Sequence, residues 1–321
     1  MSIKATQLHI EHNAPVPTWF HIGGKAAKLA KPESEEDLIA CLEIDDEFKV
    51  LGEGANLLVD DGGVDGLVVS LETDGFRKVL IDESAGLVRA GAGVALPSLI
   101  NRCVKRGLGG LEVLAGIPAT VGGAAIMNAG GAFGAMSDVV VGVTAIDRAG
   151  RVHAFDRSQI DFGYRQSRLN HLIVIEVVFE LESGDPGEIK QSLSECMAYK
   201  TKSQPMSEKS AGCVFKNPVL NEAIDSIGEA GEQVGERIGA GMLIDRAGCK
   251  GMRSGGAQVS DIHANFITSE RDAKARDVIE LIGKVQARVL ETYGVMLERE
   301  LIIWGNDSTA ESRTNSSEGN Q

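Results

Sequence analysis

Glycine is the residue whose distribution most constrains this chain. The sequence holds 39 glycines but only 8 prolines. The glycines cluster at 52–66, 91–93, 107–134 and 228–256, where Val, Ile and Leu are interleaved with them. Glycine is used where the backbone turns at positive φ or approaches another group closely, whereas flexible linkers lack such interleaved apolar residues. The pattern therefore predicts glycine loops packed against a ligand.

The length and the net charge of the chain limit the classes of protein to which it can belong. A chain of 321 residues with 43% hydrophobic residues has ordinary globular composition and predicts about two domains. Its 32 basic and 46 acidic residues give a net charge of −14, which repels nucleic acids and anionic membranes. No apolar run approaches the roughly 20 residues of a membrane span. We expect no nucleic-acid partner and no membrane, and any phosphate-bearing ligand must be held locally.

The N-terminal residues and the cysteines indicate in which cellular compartment the protein is expected. The first 15 residues contain no apolar core of signal-peptide length. The five cysteines are odd in number, scattered and without a CxxC pair, and they are Cys41, Cys103, Cys196, Cys213 and Cys249. Such usage argues against a disulfide framework and against a zinc site. The sequence therefore predicts no metal, and cytoplasmic residence is the default expectation.

A hydrophilic break at 183–188 (SGDPGE) marks the predicted domain boundary. We expect an N-terminal arm at 1–16, a first domain at 17–183, a second at 184–305 and a disordered polar tail at 306–321. Helices are predicted from Ser34 with its capping-box spacing, over 95–107, after Asp185-Pro186 and over 278–293.

Two glycine-rich motifs are candidate ligand loops. The first is Gly52-Glu53-Gly54-Ala55-Asn56-Leu57-Leu58 after a short strand, which could point successive N–H groups at a pyrophosphate or could be a plain turn. The second runs from Gly116 to Ala124 (GIPATVGGA), where small residues could let the backbone lie against a planar group. A tightly packed glycine loop with no ligand is the alternative.

Three further motifs carry candidate polar chemistry. In FGYRQSR, Arg165 beside Tyr164 could hold a carboxylate or could form a surface ion pair. In SAGCVFKNP, Cys213 could be a proton donor or a nucleophile, and Lys216 and Asn217 could hold a phosphate or sugar. His263 lies in a glycine-rich frame, where a structural histidine is the alternative to a catalytic one.

Taken together, these motifs resemble the UDP-N-acetylenolpyruvoylglucosamine reductase family in its shorter subtype. The match runs from Trp19 to Gly305. It comprises nine motifs in family order: PESEEDL, GEGANLLV, AGAGV, GLEVLAGIPATVGGAAIMNAG, YRQSR, QPMSEKSAGCVFKNP, AGMLIDRAG-KG, GGAQVS-HANF and LEREL. Each motif is weak alone, but nine in order are specific.

The resemblance implies an α+β fold and an FAD cofactor. It implies an FAD-binding fold of the vanillyl-alcohol-oxidase type at 17–183, in two subdomains split near 72–75, followed by a C-terminal α+β substrate-binding domain. The residues it places on FAD are Gly52, Gly54, Ala55, Asn56, Leu57, Gly116, Ile117, Thr120, Gly122, Gly123 and Ala124. A monomer is favoured.

The resemblance also implies a reaction. NADPH reduces the flavin, and hydride then passes to the vinyl carbon of UDP-N-acetylglucosamine enolpyruvate, giving UDP-N-acetylmuramate for peptidoglycan and the cell wall. Developing negative charge beside the substrate carboxylate needs donors aimed at it, a role the resemblance gives to Arg165 and Glu300. It assigns substrate and nicotinamide contacts to Tyr164, Lys200, Lys202, Lys216, Asn217 and His263.

The chain departs from the family pattern at the expected proton donor. The family commonly has serine in the AGS-x-FKNP motif, whereas this chain has Cys213. A free thiol has a pKa of about 8.5 and is a stronger acid than a hydroxyl, so proton donation remains chemically sound. An accessible thiol is also open to oxidation. Other departures are Glu53, where glycine is frequent, and Ala55, where serine is usual.

Two other functions remain open at this point. A flavin oxidase of the same superfamily would keep the fold but would reoxidise rapidly with oxygen. A non-catalytic sugar-nucleotide-binding protein is suggested by the change from serine to Cys213.

Overall fold

The computed structural model describes residues 8–224 and 234–305. The predicted tail at 306–321 and the first seven residues of the predicted arm lie outside these ranges. Two compact units are present. Unit 1 comprises Met1–Ala14, Ala26–Glu53 and Asp65–Lys202, and unit 2 comprises Pro15–Lys25, Gly54–Val64 and Ser203–Gln321. The boundary expected at residue 184 stays a prediction.

The described residues form both helices and strands. The helices are α1 (Glu35–Ile44), α2 (Leu96–Val104), α3 (Val121–Ile126), α4 (Pro186–Ser203), α5 (Ala240–Arg246) and α6 (Ala275–Tyr293). The strands up to the middle of the chain are β1 (Ile10–Pro15), β2 (Lys25–Ala30), β3 (Lys49–Leu51), β4 (Leu57–Val59), β5 (Val64–Ser70), β6 (Val79–Asp82), β7 (Leu87–Gly91) and β8 (Leu108–Gly109). The later strands are β9 (Val140–Ile146), β10 (Val152–Asp156), β11 (Ile173–Glu180), β12 (Glu182–Ser183), β13 (Arg253–Ser254), β14 (Ala257–Val259), β15 (Ile267–Ser269) and β16 (Ile302–Trp304).

Besides the two-stranded antiparallel pair β12-β8, unit 1 is built on two larger sheets. One is four-stranded with the order β1-β2-β5-β3, in which β3 and β5 are parallel. The other is five-stranded with the order β10-β9-β11-β7-β6, and its strands pair antiparallel. Alternating side chains of the second sheet, such as Val143, Val177 and Phe179, are buried in one apolar core. Full burial of such a side chain contributes about 1.5–3 kcal/mol.

Three helices of unit 1, which are α1, α2 and α4, begin within one residue of where the sequence predicts. The Asp37 N–H donates to Ser34 Oγ at 3.1 Å, so Ser34 caps α1 as expected. Asp185 accepts from the second and third residues of α4 in the same way. The predicted apolar face of α2 is confirmed, because Leu96, Leu99, Ile100, Cys103 and Val104 are all buried.

Unit 2 has a separate core built around α5 and α6. Val278, Ile282, Val285 and Val289 of α6 are buried there, as the spacing predicts. The helix ends at Gly294, whose φ of 70° is the left-handed conformation that glycine favours at this position. Around it lie the antiparallel sheet β13-β14-β15 and the parallel pair β16-β4.

Several elements were not predicted from the sequence, and two of them lie in stretches for which a different structure was expected. Strand β1 lies within the stretch expected to be an arm, and of its residues only Ala14 is buried, so it carries no apolar alternation. Helix α3 lies within the expected glycine loop. A Cβ at Gly122 would lie 2.7 Å from Ala92 Cβ, so glycine allows the helix to approach Ala92 closely.

Candidate functional site

The loop after β3 presents backbone donors without protein acceptors. Among the residues that the structure describes, the N–H groups of Glu53, Gly54 and Ala55 make no hydrogen bond. Gly54 has φ of 66°, and a Cβ there would lie 2.3 Å from the Pro17 carbonyl oxygen, so only glycine fits. Successive unpaired N–H groups around a left-handed residue form a concavity that binds anions. This loop therefore fits a phosphate group.

Glu53 sets the electrostatics of that loop. Burial, with the Glu72 carboxylate second, raises the pKa of the Glu53 carboxyl above its ordinary value, and Arg77 opposes this. Arg77 is itself paired with Glu72 at 2.7 Å. An ionised Glu53 would repel a phosphate held by the neighbouring amides.

Within unit 1, Gly52, the first glycine of the loop, lies close to Thr120 of the second predicted motif. A Cβ at Gly52 would lie 2.7 Å from Thr120 Oγ1. That oxygen also accepts from the Gly123 N–H at 3.3 Å and so caps α3. Thr120 is buried, and the segment that precedes it, Gly116 to Ala119, is half-buried. The small, partly exposed backbone of this segment fits the side of a planar group such as a flavin.

Arg165 lies in a tight turn of unit 1. Gly163 and Gln166 pair across the turn, and Arg165 has φ of 57°. Its guanidinium carbon lies 5.1 Å from the centroid of the Tyr164 ring, a cation–π distance. Non-glycine residues in this conformation cost of order 1–3 kcal/mol and cluster at functional sites.

A buried asparagine holds this turn. Asn128 donates through Nδ2 to the Gly163 carbonyl at 2.9 Å and accepts through Oδ1 from the Ser137 N–H at 2.9 Å. Asn128 is only 7% exposed and has φ of 42°. Ser167, on the other side of the turn, donates to the Ile126 carbonyl at 2.8 Å. The sequence marked Asn128 as part of a glycine motif but not as a support of Arg165.

In unit 2, the backbone brings Cys213 and Glu300 onto neighbouring segments. The carbonyl of Val214 accepts from the Glu300 N–H at 2.8 Å and from the Leu301 N–H at 3.2 Å. The two segments continue to pair, since Phe215 forms a bridge with Arg299. Both Cys213 and Glu300 are half-buried. The structure thus joins two of the three residues predicted to act in catalysis.

Lys216 and Asn217 follow on the same segment. Lys216 Nζ lies 2.5 Å from Glu298 Oε1, and this ion pair orients the ammonium group. The Asn217 Oδ1 accepts from the Ala240 N–H at 2.9 Å, at the start of α5. The structure therefore gives Asn217 a structural contact in addition to any ligand contact.

His263 and Asn265 support this segment from the other side. The His263 Nδ1 accepts from the Asn265 N–H at 3.2 Å, and burial lowers the pKa of the imidazole below its ordinary value. His263 is therefore neutral near pH 7. A Cβ at Gly241 would lie 3.0 Å from His263 Cε1, so α5 packs closely on the ring.

The two remaining predicted lysines belong to unit 1. Lys200 and Lys202 both lie near the end of α4. Lys200 is 7% exposed and Lys202 is exposed. Because the unit boundary falls after Lys202, they are on a different unit from Lys216.

The comparisons with known proteins match most of the chain. Residues 26–156 match the model of an FAD binding domain, and residues 204–304 match the model of the UDP-N-acetylenolpyruvoylglucosamine reductase C-terminal domain. The UDP-N-acetylenolpyruvoylglucosamine reductase of Moorella thermoacetica is 40% identical over 306 residues, which cover 93% of this chain and 94% of that protein. That of Heliobacterium modesticaldum is 41% identical over 295 residues, with 90% and 88% covered.

The chain belongs to the UDP-N-acetylenolpyruvoylglucosamine reductase family. The reductase from Thermus caldophilus has a solved structure that aligns with a TM-score of 0.76 at 36% identity, covering 93% of this chain and 99% of that one. This confirms the expected fold class, an FAD-binding domain of the vanillyl-alcohol-oxidase type with the family's C-terminal domain. As a family member the chain is an FAD-dependent oxidoreductase.

The described residues contain neither a membrane-spanning helix nor a metal-binding cluster. No helix in the described part of the chain is long and apolar enough to cross a membrane. Over the same residues, no group of three or more His, Cys, Asp or Glu side chains is arranged to hold a metal ion.

Proposed function

We propose that this protein is an NADPH-dependent reductase that converts UDP-N-acetylglucosamine enolpyruvate to UDP-N-acetylmuramate, a peptidoglycan precursor. The proposed reaction takes place in the cytoplasm. The relatives that share about 40% of its residues are named for the reduction of this class of sugar nucleotide. The observation that carries the proposal is the hydrogen bond from the Glu300 N–H to the Val214 carbonyl, which joins a thiol-bearing and a carboxyl-bearing segment.

The chain's own groups for the cofactor are mostly backbone. The unpaired N–H groups of Glu53, Gly54 and Ala55 suit the FAD pyrophosphate, with Asn56 and Leu57 continuing the loop. Thr120 and the small residues on either side of it suit a contact with the flavin ring of FAD. The chemistry supplied by bound FAD is hydride transfer, from NADPH to the vinyl carbon of the substrate.

Cys213 supplies the proton in this proposal. Addition of hydride to the terminal carbon leaves an electron pair on the carbon next to the carboxylate. The Cys213 Sγ–H donates its proton to that carbon, and the resulting thiolate is reprotonated from solvent. Cys213 is half-buried, and it is the most exposed of the five cysteines.

Arg165 and Glu300 stabilise the developing charge in this proposal. A guanidinium beside the substrate carboxylate gives paired, charge-assisted hydrogen bonds. The Glu300 carboxyl assists only in its protonated form, because an ionised carboxylate would repel the enolate. Both groups act on the transition state more than on the ground state, so their loss lowers kcat.

The remaining predicted residues are proposed to bind substrate and nicotinamide. Lys216 is proposed to contact the diphosphate from unit 2, and Lys200 and Lys202 are proposed to do so from unit 1. Contacts to sugar, carboxylate or nicotinamide are proposed for Tyr164, Asn217 and His263. Because the net charge of the chain is −14, phosphate binding depends on such local cations.

The test follows the flavin absorbance of the purified protein. NADPH should bleach the flavin, and subsequent addition of the enolpyruvyl sugar nucleotide should restore its colour under anaerobic conditions. A protein that cannot be loaded with FAD would refute the proposal. Rapid reoxidation by oxygen with no response to the sugar nucleotide would favour the oxidase.

Variants of Cys213 test the proton donor. Cys213→Ala should abolish turnover and leave flavin reduction by NADPH intact, while Cys213→Ser should retain activity. Unchanged turnover in Cys213→Ala would remove the thiol from the mechanism. Cys249→Ala is the matched control, because Cys249 is fully buried in the core of unit 2.

A further inference from the structure

Asn265 makes an unusual set of contacts with the segment that carries Cys213. Its Oδ1 accepts from the Phe215 N–H at 2.9 Å, and its Nδ2 donates to the Phe215 carbonyl at 2.8 Å. Its own carbonyl accepts from the Val214 N–H at 2.8 Å. Asn265 is only 3% exposed, so these bonds are shielded from water.

These contacts complete the hydrogen bonding of two successive residues. Asn265 satisfies both backbone groups of Phe215 and the N–H of Val214, and the Val214 carbonyl accepts from Glu300. Cys213 pairs with Phe266, the residue after Asn265. The peptide groups that follow the Cys213 side chain therefore have one defined position, with Asn265 on one side and Glu300 on the other.

The requirement at this position is for a donor and an acceptor on one short side chain. An amide provides both, whereas an ionised carboxylate accepts only. A buried carbonyl or N–H that loses its partner carries the full desolvation cost. Burial in an apolar core alone would not need an amide.

We propose that Asn265 is a positioning residue for the proton-transfer step, holding the Val214–Phe215 backbone so that Cys213 and Glu300 keep their alignment. Asn265 acts through these two residues. The proposal rests on the proposed function, in which Cys213 donates the proton, and it adds a residue that the sequence motif did not assign.

The deciding variant is Asn265→Asp, studied as the FAD-loaded full chain. Near pH 8 the ionised carboxylate still accepts from the Phe215 N–H but repels the Phe215 carbonyl. Stopped-flow spectroscopy should show flavin reduction by NADPH within about 2-fold of wild type. Flavin reoxidation by the enolpyruvyl substrate should be slower by roughly 10- to 100-fold, since a misplacement of about 1 Å can cost 100-fold.

A pH profile separates positioning from a merely structural role. When protonated, the carboxyl of the Asn265→Asp variant again has one donor and one acceptor, so its reoxidation rate should recover toward wild type as the pH falls. The titratable or charged groups on the segments packed against this position are Cys213, Lys216, Asp245, Arg246, Lys250, Asp261, His263, Glu298, Arg299 and Glu300. All are present in the wild type, whose profile is the reference. A constant deficit across the pH range would overturn the proposal.

Ser269→Ala is the matched control in the same unit. The Ser269 Oγ donates to the Phe20 carbonyl at 2.8 Å, so this variant also loses a side chain–backbone bond. It should reoxidise at the wild-type rate. An equal loss in Ser269→Ala, or equal losses in both half-reactions of Asn265→Asp, would overturn the proposal.

Alkylation of the Cys213 thiol tests the positioning role of Asn265 separately from the proposed reductase activity. If wild-type flavin is not reoxidised by the sugar nucleotide, the proposed function fails. The rate of Cys213 modification by iodoacetamide, followed by peptide mass spectrometry, then tests the positioning alone. We expect Asn265→Asp and Asn265→Ala to change that rate by about 3-fold or more, and Ser269→Ala to leave it unchanged. A wild-type rate in both Asn265 variants would overturn the proposal.

Discussion

The contact between Gly52 and Thr120 allows a quantitative prediction about the cofactor loops of unit 1. In Gly52→Ala, the new Cβ would lie 2.7 Å from Thr120 Oγ1, closer than real Cβ contacts. The backbone at Gly52 is not among the positive-φ glycines, so alanine itself is tolerated by the conformation. The expected cost is therefore steric, about 1–3 kcal/mol of unfolding free energy.

Thr120→Ala removes the other side of the clash. It also removes the cap of α3, in which the Gly123 N–H donates to Thr120 Oγ1 at 3.3 Å. Loss of such a cap costs about 0.5–2 kcal/mol, and the length of this bond favours the lower end. In the Thr120→Ala background, Gly52→Ala should be neutral or stabilising by about 0.4–1 kcal/mol, because alanine restricts the unfolded chain.

The double-mutant cycle should therefore show a coupling of about 1–4 kcal/mol, with the double variant more stable than the sum of the single effects. Thermal unfolding of the FAD-free protein measures it. Each kcal/mol corresponds to roughly 2–4 °C in a domain of 150–250 residues. FAD affinity, followed by flavin fluorescence, should fall in Gly52→Ala and partly recover in the double variant. Additive stability effects would refute the close contact.

The remaining predictions concern charge, reactivity and positioning. Burial beside Glu72 raises the pKa of Glu53, so the folded wild type loses stability as the pH rises through that pKa. Glu53→Gln should therefore be more stable than wild type at pH 7, should bind FAD more tightly, and should lose its stability advantage as the pH falls below about 4. Equal melting temperatures at pH 7 would contradict this. Burial raises the pKa of the Cys41 and Cys103 thiols to about 11, so iodoacetamide at pH 8 should label Cys213 first in native protein. Faster labelling of a buried cysteine, by peptide mapping, would be inconsistent with the fold. Asn128→Ala should slow reoxidation by the sugar nucleotide about 10-fold or more by releasing the Arg165 turn, and the wild-type rate would show that the turn needs no such support.

The fold was largely predictable where its signals are local. The face of α2, the Ser34 cap and the Asp185 cap follow from spacing and from side chains within three residues of the helix ends. Strand β1 was not predictable, because an edge strand that buries only Ala14 carries no alternation of apolar residues.

The candidate site was predictable by residue type but only partly by contact. The resemblance named Cys213 and Glu300, and the structure adds that the Val214 carbonyl joins their segments. The supporting roles of the two asparagines were not predicted. Asn128 and Asn265 act through hydrogen bonds to residues 35 and 50 positions away, and such partners leave no periodic pattern near the asparagine.

The sequence alone determined the family and the glycine-rich segments and supplied the candidate reactive groups, since these depend on residue type and order. Tertiary structure decided which backbone N–H groups stay unpaired, which glycine meets Thr120 and which amide holds the Cys213 segment. These features depend on distances between atoms that are far apart along the chain, and such distances are defined only when the chain has folded.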